Sequence, residues 1–244
     1  MSFDPVSRLD GKVAVITGGL GAIGYATATR LAALGATCVL LHRKGDDAAA
    51  RAAALPSANG QRHAAIRADI VDSASLVAAA AEVQATHGRC DILVNSAGHT
   101  QPVPAADLDA LTDELIDDIV RANFRGVFAT IRAFAPMLKA SGDALVANIS
   151  SIAGFTGVGS NLAYVAAKAG LDVVGDALAK ALAPAVRVVS VSPGAVESGF
   201  VPGRGAEFAS KMASTTPLGR IGKPDDVAAT VEALATTMRF VTGT

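Results

Sequence analysis

Tyr164 and Lys168 place a phenol and an ammonium four residues apart. On a helix that spacing puts both side chains on one face, a turn apart. A tyrosine with its ordinary pKa of about 10 is a poor proton shuttle at neutral pH. A cation held beside it favours the phenolate and lowers that value, each unit amounting to about 1.36 kcal/mol. The phenol can then give or take a proton near pH 7, which is the chemistry of interconverting an alcohol and a carbonyl. Taken alone, the pair reads more readily as an amphipathic surface pair with packed stems and solvated heads. The rest of the chain has to supply the context.

Part of that context is the run Thr17-Gly-Gly-Leu-Gly-Ala-Ile-Gly24, where Gly19, Gly21 and Gly24 fit G-x-G-x-x-G. An apolar run precedes it and a helix-like stretch follows. In that setting glycines allow a tight turn and a close backbone approach to a pyrophosphate at a helix N-terminus. A dinucleotide site then needs a group at the end of the second strand. A carboxylate there would bind a ribose 2′-hydroxyl, but this chain has Leu41-His42-Arg43-Lys44. Arg43 could clamp a 2′-phosphate, with Lys44 adding charge, which favours NADP(H) over NAD(H). The rival is a solvated basic loop balanced by Asp46 and Asp47.

The elements that must hold these groups follow from hydrophobic period. Short apolar runs at 12–17, 37–41, 63–67, 92–95, 144–149 and 186–191 predict buried parallel strands. Helix-like segments lie between them near 22–34, 46–56, 73–87, 113–140 and 161–182. This alternation predicts an α/β fold, a doubly wound parallel sheet with right-handed crossovers. No linker, repeat or low-complexity tract divides the 244 residues, so 1–244 is expected to be a single domain. The Gly/Pro/Ser/Thr-rich stretch 194–223 reads as an irregular, partly helical excursion able to hold a substrate lid.

Composition excludes other classes. Hydrophobic residues make up 51% and mean hydropathy is +0.41, enough for a large core. A net charge of −1 gives no electrostatic case for nucleic acid or an anionic membrane. Cys38 and Cys90 are too few for a disulfide framework and lack metal-ligand spacing with the four histidines, so no metal is expected. The N-terminus has no basic region followed by an apolar one, and no run approaches a membrane span. A cytoplasmic, soluble protein is the expectation.

With these pieces assembled, the chain resembles the classical short-chain dehydrogenase/reductase family, including its 3-oxoacyl-acyl-carrier-protein reductase-like members, from about residue 10 onward. The motifs fall in the family's order: the turn at 17–24, Asp69-Ile70, Asp91-Ile-Leu-Val-Asn-Ser-Ala-Gly98 and Asn123. Then come Asn148-Ile-Ser-Ser151, Tyr164 with Lys168, Ser192-Pro-Gly-Ala-Val196 and Pro217-Leu-Gly-Arg-Ile-Gly-Lys-Pro224. The resemblance implies a Rossmann-like, three-layer α/β/α fold. It implies that Tyr164 donates the proton in reduction and that Lys168 binds the nicotinamide ribose and lowers the Tyr164 pKa. Ser151 would hydrogen-bond the reacting oxygen, and Asn123 would hold a water in a proton relay. Gly18, Leu20, Gly21, Ile23, Arg43, Asp69, Ile70, Asn95, Ala97 and Gly98 would contact the cofactor, as would Pro193, Gly194, Val196 and Ser198. Some roles have structural rivals. Asn123 could make a purely structural hydrogen bond on an apolar helix, Ser150 or Ser151 could merely cap backbone, and Asp69 could be a turn-forming residue.

Three departures stand out. Ala22 occupies the place of the family's middle turn glycine, Ser96 replaces the second asparagine of N-N-A-G, and the chain stops at Phe240-Val-Thr-Gly-Thr244, where the family usually adds a last strand. The sheet is therefore open to lacking its final edge strand. The reading is an NADP(H)-dependent oxidoreductase moving hydride between nicotinamide and a secondary alcohol or ketone. Alternatives are a catalytically idle NADP(H)-binding sensor or scaffold, and a nucleotide-sugar dehydratase or epimerase. His99, Thr100, Gln101, Glu197, Phe200, Phe208 and Met212 are candidate pocket residues. Arg204, Lys211 and Arg220 are candidate charges for docking an acyl carrier protein. The resemblance also implies a homodimer or homotetramer through the helices near 113–140 and 161–182.

Overall fold

The computed structural model describes residues 8–203 and 205–244; Arg204 and the first seven residues lie outside it. Among the described residues six strands form one parallel sheet: β1 (Val13–Thr17), β2 (Thr37–His42), β3 (Ala64–Arg67), β4 (Ile92–Asn95), β5 (Ala144–Ile149) and β6 (Val186–Val191), in the order β3-β2-β1-β4-β5-β6. The order reverses between β1 and β4, the crevice where open α/β sheets bind ligands outside the carboxyl ends of their strands.

Helices cover both faces, as expected when strands such as VAVIT are buried throughout. On one face α1 (Ala22–Ala33) and α9 (Pro224–Ala235) pack Ala28, Leu31, Val227 and Val231 onto Ile16, Leu40, Val94 and Val189. On the other, α3 (Ser73–His87), α5 (Gly126–Ser141) and α7 (Leu162–Leu182) pack Val83, Phe134, Leu138 and Leu171 onto Val15, Val39, Leu93, Val146 and Val188. The remaining helices are short: α2 (Ala48–Ala53), α4 (Asp113–Val120), α6 (Ala153–Thr156) and α8 (Ala206–Thr215). At full burial each large apolar side chain contributes about 1.5–3 kcal/mol.

Three features differ from the periodicity. The segment expected as one helix over 113–140 is α4, a π-turn at Arg121–Arg125 and α5. Its apolar stripe runs through unbroken, so period alone does not show the wider turn. The helix α9 follows the irregular region 194–223 and has no counterpart among the helix-like segments expected from period. At the sheet edge, residues 242–244 run along β6: the Gly243 N–H donates to Val188 O at 2.9 Å and the Ser190 N–H to Thr244 O at 2.7 Å.

One row of polar residues sits where the apolar strands end. Thr17, Asn95, Asn148 and Ser190 are paired in register across β1, β4, β5 and β6. Thr17 Oγ1 accepts the Ser96 and Ala97 N–H groups, each at 3.1 Å, and so latches the loop after β4. Asn95 Nδ2 donates to Asn148 Oδ1 at 2.9 Å.

Candidate active site

A cavity of about 850 Å³ opens at the carboxyl ends of the strands. Tyr164 is placed in it by the first turn of α7. The N-cap Asn161 accepts the Tyr164 backbone N–H on Oδ1 at 2.7 Å, and its Nδ2 donates to Thr100 Oγ1 and Gln101 O at 3.1 and 2.7 Å. Such a cap is worth about 1 kcal/mol, and here it also ties the helix to the loop after β4. One turn on, Lys168 is buried at 4% exposure and its Nζ donates to Ile149 O at 2.7 Å. The ammonium lies 5.6 Å from the centroid of the Tyr164 ring, so both groups share one face and one cavity. Burial drives the Lys168 pKa down, opposed by the Asp172 carboxylate, to about 8.

Ser151, just past β5, lines the same cavity. Its Oγ accepts the Ala153 N–H at 3.2 Å, which leaves the hydroxyl proton to be donated elsewhere. Ser150 Oγ is buried without a hydrogen-bond partner among the described residues. Asn123 sits inside the π-turn, fully buried. Its Nδ2 donates to His99 O at 2.7 Å and to Ile119 O at 2.9 Å, so a structural role is real. Its Oδ1 is buried without a partner and faces Gly98, where a Cβ would collide with it. A π-turn inside a helix is frequently a mark of a functional position.

The glycine turn forms a cradle. Gly18 has φ +62°, and a Cβ there would come within 3.0 Å of the Ala97 backbone N and Cα. A Cβ on Gly24 would run into the Gly18 carbonyl. The backbone therefore lies bare beneath the N-terminus of α1, whose free N–H groups favour an anion. Leu20 O is held by Arg51 Nη1 at 2.7 Å, an anchor that nothing in the motif announces. A dinucleotide fits these residues: Gly21, Ile23, Ala97, Gly98, Pro193, Gly194, Val196 and Ser198 line the cavity together with Ser151, Tyr164 and Lys168.

Other expected contacts lie off the cavity wall. Asn95 Nδ2 is engaged with Asn148, while its Oδ1 is buried without a partner among the described residues. Asp69 Oδ1 accepts the Val71 N–H at 3.1 Å, as a turn-forming residue does, and the carbonyl of Ile70 packs against Gly126. Arg43 is exposed beyond the end of β2, with no hydrogen bond or ion pair among the described residues. Of the pocket candidates, Glu197, Phe200, Phe208 and Met212 line the cavity, whereas His99, Thr100 and Gln101 do not. Those three instead supply the groups that bond Asn123 and Asn161. Ile152, Val158 and Val201 line the wall and were missed, because loop residues carry no period. Among the described residues no group of three His, Cys, Asp or Glu side chains could hold a metal, and no helix is long and apolar enough to cross a membrane.

The sequence model of one family, the short chain dehydrogenases, matches residues 12–207. This chain belongs to that family. D-threitol dehydrogenase of Mycolicibacterium smegmatis is 37% identical over 96% of this chain and 90% of its own length. A 3-oxoacyl-acyl-carrier-protein reductase of Aquifex aeolicus is 33% identical over 97% and 95%. The crystal structure of a dehydrogenase/reductase from Sinorhizobium meliloti superposes with a TM-score of 0.88 at 32% identity, covering 98% of this chain and 93% of that one. As a short-chain dehydrogenase the protein is an oxidoreductase acting on CH–OH or C=O groups with a nicotinamide cofactor.

Proposed function

We propose that the protein is an NADP(H)-dependent oxidoreductase of secondary alcohols and ketones in which Tyr164 is the general acid/base. The observation that carries this reading is the meeting of Ser151, Tyr164 and Lys168 on one wall of one cavity. When bound, the nicotinamide would supply or accept the hydride. In reduction, the Ser151 hydroxyl donates to the substrate oxygen, and Tyr164 delivers its proton to the same atom as charge develops there. The Lys168 ammonium favours the phenolate left behind. The free acceptor Asn123 Oδ1 supports a place for Asn123 in returning the proton. Arg43 supports the NADP(H) preference, being an exposed cation at the strand end without a carboxylate partner. Among the relatives, one is named for reducing a 3-oxoacyl group, which is a ketone, and one for dehydrogenating threitol, which is an alcohol.

The reading treats residues 1–244 as one domain with the substrate loop at 194–223, in the cytoplasm, where buried Cys38 and Cys90 would stay reduced. It includes a homodimer or homotetramer through the helices over 113–140 and 161–182, where Phe128, Leu162 and Val173 are exposed. The test is NADPH oxidation against ketones, β-ketoacyl thioesters, quinones and sugars, repeated with NADH. Faster turnover with NADH would overturn the cofactor preference, and absence of carbonyl-dependent oxidation of either would overturn the activity.

A further inference from the structure

The substrate side of the cavity differs in chemistry from the cofactor side. Beyond Ser151 and Tyr164 its wall is built of Ile152, Val158, Phe200, Val201, Phe208 and Met212. Phe208 and Met212 come from one face of α8, a helix with no fully buried residue. The Phe200 ring stands 6.0 Å from the Tyr164 ring, tilted by 54°. Ile152, Val158 and Phe200 are 39%, 76% and 38% exposed, an apolar mouth that an apolar guest would cover.

Two of the polar side chains on that wall, Thr156 and Ser160, are bonded to protein groups. Thr156 Oγ1 donates to Ile152 O at 2.9 Å and accepts the Val158 N–H at 3.3 Å. Ser160 Oγ shares a 2.5 Å hydrogen bond with Thr100 Oγ1. Among the described lining residues the only cation is Lys168, engaged with Ile149 O, and the one carboxylate is Glu197. A guest carboxylate would meet Glu197 and, among the described lining residues, no free cation.

We infer that the substrate is a neutral carbonyl compound or alcohol with a bulky, apolar body, and that small ketones without such a body are poor substrates. This rests on the oxidoreductase reading above, whose cofactor and proton donor it takes over.

The test is kcat/KM of the full chain with NADPH on three ketones: 2-tetralone (neutral and apolar), erythrulose (neutral and hydroxylated) and acetoacetate (small and anionic). The expected order puts 2-tetralone at least a hundredfold above each of the others. A comparable or higher value for erythrulose or acetoacetate overturns the inference. Met212→Lys should raise the KM for 2-tetralone at least tenfold with a smaller change in kcat, and narrow the gap to acetoacetate. An unchanged KM counts against the assigned wall. Calorimetric binding of 2-tetralol and erythritol to the NADP-loaded protein decides the class without turnover. Preference for 2-tetralol supports the inference and equal or reversed affinity overturns it, even where no ketone is reduced and the catalytic reading fails.

Discussion

At the foot of the sheet, before β4, Asp91 is buried at 1% exposure and fully partnered. Its oxygens accept the Val13 N–H at 2.9 Å, Arg89 Nε and Nη2 at 2.7 and 2.6 Å, and Ser141 Oγ at 2.6 Å, with Lys12 Nζ at 3.4 Å. Burial alone would raise its pKa, but the bonds from Arg89, Ser141 and Val13 and the charge of Lys12 hold it below the ordinary carboxylate value. At the head of the sheet, Lys168 is buried with one neutral acceptor and a carboxylate, Asp172, one turn away. There burial wins and the charge is destabilised. Around it Asn95 Oδ1, Asn123 Oδ1, Asn148 Nδ2, Ser150 Oγ, Asp172 Oδ1 and Ser190 Oγ are buried without partners among the described residues. The foot spends its buried charge on cohesion. The head keeps a charge under strain and donor and acceptor capacity in reserve, the pattern expected where binding and proton transfer happen.

The contrast can be broken at either end. The largest effect is expected from Tyr164→Phe: kcat/KM falls by about 10²–10⁴-fold while NADPH binding and the thermal midpoint are kept. Near-normal rates on a verified substrate would remove Tyr164 from the chemistry. Next comes Lys168→Met, which should abolish most activity yet not lower stability. The folded lysine titrates at about 8 and the ordinary one at 10.5, so the unfolded chain holds the proton more tightly. The penalty, about 3 kcal/mol, is full below pH 8 and is relieved as pH rises towards 10.5. Urea midpoints of the variant should match or exceed the parent at pH 7 and rise less between pH 8 and 10.5; a lower midpoint at pH 7 would mean that Lys168 is cohesive like Asp91. In the parent, kcat/KM for reduction should decline above about pH 8 as that cation is lost.

Asp91→Asn should do the reverse. It should lower stability by about 2–3 kcal/mol, the scale of hydrogen bonds to a charged group, with kcat of the folded fraction unchanged. Its contribution is complete above the ordinary carboxylate pKa and is lost as pH falls through the lowered folded value, so denaturation of the variant should be less acid-sensitive in that range. The smallest effect is expected from Arg43→Ala: a tenfold or greater rise in KM for NADPH, with KM for NADH unchanged, read from initial rates.

Much of the head was legible because its parts are local. The glycine turn, the Tyr164–Lys168 spacing and the ends of the six strands each follow from a short stretch of sequence. The π-turn around Asn123 was not, since Ile119, Val120 and Val127 continue one apolar stripe through it. Nor were the tasks of His99, Thr100 and Gln101, whose partners Asn123 and Asn161 are distant in sequence. Asp91 stood in the sequence only as the first residue of the motif 91–98, and its hub assembles side chains from three separate places in the chain, at 12, 89–91 and 141.

The sequence by itself determined which groups could move a proton and which backbone could approach a phosphate, because those properties depend on residue type and on spacing within a turn or a helix. Tertiary structure alone decided that Lys168 is desolvated while Asp91 is satisfied, and that Ile152, Val158, Phe200, Phe208 and Met212 meet on one apolar wall. Solvation and hydrogen-bond partners are set by which distant segments close around a side chain, and no local pattern encodes that.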